Sequence, residues 1–476
     1  MNNATLAAFA LYLVGLFAIA IQAWRRTRDA SDYALGGRTL GPAVTALSAG
    51  ASDMSGWLLL GLPGAIYASG LVEGWIVVGL VVGAWANWRL VAAPLRRASS
   101  AEASGGTASE DSLTLPSYFA ARLRGLAPST DERALRAIRA VATTLILFFF
   151  TFYVSSGLVA GARLFEATLG LDYIWALSIG ALVIVAYTMA GGFLAVAWTD
   201  FFQGLLMLAA LVAVPLMLLA GLAPEPEAPA PLQLDPVADL TLLGWISLVA
   251  WGLGYFGQPH VLARFMAIGS ADDVGSATRI AMGWMITVSA AAIAIGIGGQ
   301  AVFGAALSNP EGVFIELTAL LFHPLIAGTV LAAILAAVMS TIDSQLLVAS
   351  TALAEDLYRP LRGRDATPGE LLVVGRGAVL LVAVVALLLA LDPDSLVLEL
   401  VSYAWAGLGA SFGPVVLASL YFPRLSARGV LAGMLTGGIT VVVWGELSGG
   451  LFDLYEIVPG FLFASLVIYV TGREPD

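Results

Sequence analysis

The sequence predicts an all-α membrane protein with thirteen transmembrane helices, two of them broken. Three observations predict it. The first is composition: of 476 residues, 59% are hydrophobic and 12% charged, with a mean hydropathy of +0.90. Soluble domains carry about 25% charged residues. The second is the side on which arginine falls once the apolar runs are read as spans. The third is a pair of apolar stretches interrupted in their middles by small and polar residues.

The first apolar run, Thr5 to Trp24, is followed rather than preceded by Arg25, Arg26 and Arg28. It is longer than a signal-peptide core and has no convincing small-residue cleavage site. That pattern fits an uncleaved first span with the N-terminus outside. Further spans read at 42–67, 72–93, 138–162, 173–195, 198–221, 241–258, 276–304, 324–353, 370–391, 395–421, 429–446 and 457–471. With the N-terminus outside, every basic residue but Arg163 falls inside, out of 22. The C-terminus is then inside as well.

Composition also sets limits. The net charge of −11 argues against nucleic acid as a partner, and every basic residue is arginine. Cysteine is absent, which excludes disulfides and thiolate-bound metals, and His260 and His323 lie far apart. The polar stretches are too short for a separate soluble domain. Ser99 to Ser112 reads as a mobile cytoplasmic linker, and Ala223 to Pro236 as an extended outside loop. Leu115 to Phe119 reads as the start of a short interfacial helix. No nucleophile elbow, phosphate loop or metal-ligand cluster is present, so an enzyme is not expected. The partner that composition demands is the lipid bilayer, and no obligate protein partner is expected.

The first interrupted stretch runs Thr45-Ala-Leu-Ser-Ala-Gly-Ala-Ser-Asp-Met-Ser-Gly-Trp57 and on to Pro63-Gly64. A carboxylate at mid-depth, here Asp53, costs about 2.5–3.5 kcal/mol on insertion scales. Unwound backbone at that depth is tolerated where it lines a cavity or is buried in protein. The stretch therefore reads as a broken helix whose carbonyls and helix ends form an ion and solute site, against the plainer reading of a small-residue packing helix. The second interruption, Trp251-Gly-Leu-Gly-Tyr-Phe-Gly-Gln-Pro-His260, combines three glycines and a proline with two polar-tipped aromatics. One break opens a group of five spans and the other opens the next five. Paired broken helices at corresponding positions mark the midplane site of a secondary transporter. The second break also offers Trp251 and Tyr255, four apart and facing one way, as an aromatic wall or as interface-belt residues. In the span 324–353, adjacent Ser340 and Thr341 present two hydroxyls, with Ala337 one turn before Thr341. Hard cations take such oxygens, although both hydroxyls could instead bond back to carbonyls a turn earlier.

At Tyr33 to Arg38, Thr45 to Pro63, Gly157 to Glu166, Gly191 to Asp200, Gly252 to Met266, Ala332 to Leu347 and Ser402 to Val415, the chain closely resembles the sodium:solute symporter family. The resemblance implies a five-plus-five inverted-repeat core, with residues 1–41 as an extra first helix and loop, 42–221 and 241–421 as the repeats, and 429–476 as two extra helices. It implies sodium as coupling ion and L-proline as solute, in a bacterial cytoplasmic (inner) membrane. The sodium ligands it implies are the carbonyls of Ala51, Met54 and Ala337 and the hydroxyls of Ser340 and Thr341. Trp251, Tyr255 and Tyr153 match solute-lining positions, and Ser55 and Gly56 continue the break beside them. Asp53 is expected to bias the site negative rather than to ligate. Asp200 either complements a helix start or serves sodium exit. Arg264, Gln258 and Pro259 are expected at a gate, with His260 and Arg264 alternatively anchoring phosphate.

Two departures from the family pattern stand out: a short tail after Gly472, and Asp343 where a small polar residue is expected. Asp343 could pair with Arg264, mark an inner exit route or bind a second cation. The rival readings are symport of another small solute, proton coupling, a channel and a non-transporting sensor.

Overall fold

The computed structural model describes residues 3–24, 30–100, 112–189, 192–222, 231–363 and 366–471. Arg25, Arg26, Arg28 and Arg473, most of the Ser99–Ser112 linker, Gly191, residues 223–230 and the tail after Thr471 lie outside them. Among the described residues the regular structure is helical throughout, apart from one isolated parallel bridge between Leu40 and Ile268. Among the described residues, eight helices are long and apolar enough to cross a membrane by length and composition, and five shorter apolar helices accompany them.

Local chemistry explains the boundaries. Proline occupies the first turn of Pro42–Asp53, Pro259–Ala267, Pro324–Ala352 and Pro368–Leu389, where its missing N–H costs nothing. Thr114 with Ser117, and Thr367 with Glu370, form reciprocal caps. The helix Glu132–Leu169 starts at the Asp131 cap and stops at Gly170, whose left-handed backbone suits glycine. Leu115 does open a helix, Leu115–Leu126, with one face buried, where Tyr118 shares a 3.0 Å hydrogen bond with Ser419, and the other carrying exposed Arg124.

The polarity of the molecule is inverted relative to a soluble protein. Leu182 is 71% and Leu219 84% exposed, while Asp53, Asp200, Arg264, Ser340, Thr341 and Asp343 are buried. Apolar outer faces are neutral against lipid tails, which are as apolar as leucine. The helix Pro324–Ala352 is the hub, with every residue from Val330 to Leu347 buried.

Both expected interruptions are present. The helix Pro42–Asp53 ends at Met54, where ψ turns to 61°, and helical backbone resumes as a wide turn, Trp57–Gly61, leading into Leu62–Ser69. The second begins as Leu242–Val249, tightens to a 3-10 segment over Ala250–Gly257 and breaks at Gln258, which is extended. A further helix, Pro259–Ala267, follows; the sequence reading ended this span at the break. Glycine lets the helix Gly74–Asn87 touch the second break backbone to backbone. A Cβ on Gly252 would lie 2.2 Å from the Gly79 carbonyl, and one on Gly83 would lie 2.1 Å from the Gly252 carbonyl.

Candidate functional site

The site is where the first break meets the hub helix. When Pro42–Asp53 stops, its last carbonyls lose their intrahelical partners. One of them is taken up at once: the Ser340 hydroxyl donates to the Ala51 carbonyl at 2.8 Å. It also lies 3.0 Å from the Ala337 carbonyl of its own helix, and the Thr341 hydroxyl lies 3.5 Å from the Ala51 carbonyl. Ala51, Ala337, Ser340 and Thr341 thus converge, with four oxygens and no cationic side chain among them. Back-bonding and cross-helix bonding occur together at Ser340. Met54 caps the helix with its N–H on Gly50 at 2.9 Å.

The second break faces the first. The Tyr255 phenol donates to the Asp53 carboxylate, and the Tyr153 hydroxyl donates to the Asp53 carbonyl at 3.1 Å. Asp53 therefore turns toward the second break, not toward the Ser340–Thr341 hydroxyls. Trp251 stacks on Tyr455 at 5.4 Å and lies 6.3 Å from Trp57, and Tyr255 meets Trp405 edge-on at 5.0 Å. The Trp405 indole donates to the Trp251 carbonyl at 2.7 Å, holding the 3-10 segment. The cavity beside Asp53, Met54 and Tyr255 has a volume of about 20 Å³. Ser55 and Gly56 are buried. A Cβ on Gly56 would lie 2.7 Å from that of Ala160, so this glycine sits at a helix contact.

Beyond the second break, Arg264 ties four elements together. Its guanidinium bonds Asp200 at 2.9 Å, Ser48 at 3.1 Å, the His260 carbonyl at 3.0 Å and the Ser344 hydroxyl. Ser48 also donates to Asp200, at 2.7 Å. This corrects two expectations. The helix bearing Asp200 begins at Phe193, so Asp200 sits about two turns inside it, beyond the reach of the helix-start dipole. Asp343 bonds Thr188, and it is Asp200 that bonds Arg264. His260 is fully buried against the rings of Phe150 and Tyr153, away from any surface phosphate. Gln258 donates to the carbonyls of Gly254 and Trp405, both at 3.2 Å, and Pro259 starts the following helix.

The two ends of the bundle are latched. At one, Arg38 reaches the carbonyls of Met266, Ser99 and Ser112 at 2.9, 2.7 and 3.0 Å, and Arg96 holds that of Ile268 at 2.6 Å. At the other, Glu311 accepts from the N–H groups of Val397 and Leu398 at 3.1 and 3.2 Å. Burial raises the Glu311 pKa, and those two N–H groups oppose the shift.

Comparison with known proteins gives the family of the chain. The family model described as "Sodium:solute symporter family" matches residues 33–437. The chain belongs to the sodium:solute symporter family. The sodium/proline symporter of Escherichia coli K12 is 49% identical over 100% of this chain and 95% of the relative. The high-affinity proline transporter PutP of Bacillus subtilis is 50% identical over 96% of this chain and 94% of its own length. Among solved structures, a Na+-coupled sialic acid symporter in an outward-open state superposes with a TM-score of 0.78 at 17% identity, covering 98% and 97% of the two chains. The nucleobase-cation-symport-1 transporter Mhp1 in a closed conformation gives 0.55 at 16%, covering 93% and 96%. These two share the overall fold of this chain, an all-α transporter fold.

The sequence reading of this symporter missed Trp57, Trp405 and Tyr455 as neighbours of the second break, and Thr188 as the partner of Asp343. Trp57 and Trp405 both lie in stretches that carry the family resemblance; for Tyr455 and Thr188 no sequence signal was available.

Proposed function

We propose that this symporter couples inward sodium flow to uptake of L-proline by alternating access. The relative named for sodium and proline is 49% identical along the whole chain, and one named for proline is 50% identical over 96% of it. The observation that carries the reading is the meeting of the first break with Ser340 and Thr341 on the hub. The carbonyls of Ala51, Met54 and Ala337 with those two hydroxyls form the sodium shell, because a hard cation takes neutral and anionic oxygens. Asp53 adds negative field without being a ligand. Trp251, Tyr255 and Tyr153 enclose the proline ring and its ammonium group, with Ser55 and Gly56 at the edge of that pocket.

The repeats span 42–221 and 241–421, flanked by 1–41 and 429–476. The protein sits in the bacterial cytoplasmic membrane with its N-terminus outside and C-terminus inside, as the arginines direct. Arg264, Gln258 and Pro259 then form the inner gate, with Asp200 as its counter-charge. The chain transports and performs no chemical conversion. One charge moving through about 100 mV supplies about 2.3 kcal/mol, and a tenfold sodium gradient adds about 1.4 kcal/mol. Together they support concentration of proline on the order of several hundredfold at one-to-one coupling.

The test is uptake of radiolabelled proline into proteoliposomes with and without an inward sodium gradient. Concentrative, sodium-driven uptake is expected. Equal uptake with sodium or choline outside overturns the reading, and competition by another small solute in preference to proline redirects it.

A further inference from the structure

We propose that Asn87 is a positioning residue for this transport site, acting through one water molecule held between its carboxamide and the Asp53 carboxylate. The proposal rests on the reading of Asp53 as the field-setting residue of the sodium site. Asn87 closes the helix Gly74–Asn87, which runs on as a wide π-type turn, Trp88–Ala92. Its neighbours Trp85 and Leu90 face outward, whereas Asn87 is fully buried. Neither its amide nitrogen nor its amide oxygen has a hydrogen-bond partner among the described residues, and the same is true of the second Asp53 carboxylate oxygen. Native proteins seldom leave such groups without a partner.

These groups line one cavity. Asn87, Asp53 and Tyr255 border it, with Met54, Met285 and Trp284 among its apolar walls. Its volume of about 20 Å³ suits a single water, which needs about 10–15 Å³ and two to four polar partners. The partners are at hand: the Asn87 N–H donates to the water, the Asn87 carbonyl accepts from it, and the free Asp53 oxygen accepts its other proton. A cation would find too few oxygens there. Tyr255 occupies one Asp53 oxygen, so the water fixes the other and holds the carboxylate from both sides. The helix that carries Asn87 also packs by Gly79 and Gly83 against the second break. One rigid element thereby sets both breaks.

Two measurements on the full chain test this. In X-ray hydroxyl-radical footprinting of the purified symporter, a bound water generates radicals in place. Met54 and Met285, 1% and 5% exposed, should oxidise faster than Met207 and Met434, both 0% exposed. Asn87→Leu, which fills the cavity without polar atoms, should bring them down to the rate of those controls. In transport, Asn87→Leu should raise the half-saturating sodium about tenfold, the size of one charge-assisted hydrogen bond, and leave proline dependence at saturating sodium unchanged. Asn87→Ser, which keeps a hydroxyl for the water, should recover most of the loss that Asn87→Ala shows, and this comparison decides if the leucine variant fails to fold. Oxidation of Met54 and Met285 no faster than the controls, or equal behaviour of the serine and alanine variants, overturns the proposal. Footprinting reads the water without transport, so a protein that carries another solute still gives the expected oxidation.

Discussion

The Tyr255 hydroxyl donates its hydrogen bond to the Asp53 carboxylate, 202 positions away in sequence. A side chain of the second break thus closes on a side chain of the first, and both are buried. The Tyr153 hydroxyl adds a bond to the Asp53 backbone at 3.1 Å. In the proposed cycle one phenol serves as pocket wall and as latch, which couples occupancy of the proline pocket to the geometry beside the sodium shell.

Phenylalanine and alanine at position 255 separate those two roles. Tyr255→Phe keeps the ring and removes the latch, so it should raise the half-saturating sodium by about tenfold to a hundredfold, the worth of one hydrogen bond to a charged group. Tyr255→Ala and Trp251→Ala remove the wall and should raise the half-saturating proline far more than the sodium value. Concentration-dependence curves for proline and sodium, at matched membrane expression, make the comparison. Unchanged proline dependence in both alanine variants would move the pocket elsewhere.

The buried ion pair should dominate stability. Arg264 and Asp200 are fully buried 2.9 Å apart, and removing one member of such a pair strands the other, at about 3–5 kcal/mol. Arg264→Ala should therefore lower the thermal transition of the purified protein sharply. Asp200→Asn, which keeps an acceptor for the guanidinium, should lower it less. Thermal stability measured by size-exclusion chromatography gives the readout, and an Arg264→Ala protein as stable as the parent excludes a structural role for the pair.

Much of this was legible before any coordinates. Apolar windows located the long helices, eight of which are long and apolar enough for a crossing, because lipid demands about twenty apolar residues per crossing, and glycine clusters located both breaks. The partners of polar groups were not legible. Asp200 meets Arg264, Ser48 and Arg264 meet, and Asp343 meets Thr188 across separations of 64, 216 and 155 residues; helix crossings set those meetings, and periodicity does not encode crossings. Asn87 sits in a span that reads as ordinary, since a single asparagine beside two tryptophans carries no motif. The helix Pro259–Ala267 was missed because nine residues with an arginine and a histidine fall below any hydropathy threshold for a span.

Asp343 is one of the two departures from the family pattern, and its hydrogen-bond partner is Thr188. Their hydrogen bond is buried, and the other Asp343 oxygen has no partner among the described residues. Thr188→Val should then cost about 1–3 kcal/mol of stability, the penalty for an unsatisfied buried group. Asp343→Ser restores the small polar residue expected from the family and should make the Thr188→Val change nearly neutral. Thermal transitions of the two single variants and the double variant form the cycle. Additive losses would show that the two residues do not act on one another.

The last expectation separates ligand from field in the proposed sodium site. Thr341→Val keeps side-chain volume and replaces a hydroxyl with a methyl, so it deletes one oxygen from a shell of five. Asp53→Asn keeps shape and removes charge, and it leaves each of those five oxygens in place, because Asp53 points at Tyr255 and not at Ser340 or Thr341. Both substitutions should weaken sodium activation. Raising external sodium should rescue Asp53→Asn, since a weaker field lowers affinity without deleting a ligand. Thr341→Val should resist rescue, because the hub around it is closely packed and leaves little room for water in place of the hydroxyl. Sodium-dependence curves of proline uptake at matched expression decide between them. If Asp53→Asn stays inactive at saturating sodium while Thr341→Val behaves like the parent, the roles are reversed: Asp53 is the ligand, and the Tyr255 bond must open each time sodium binds.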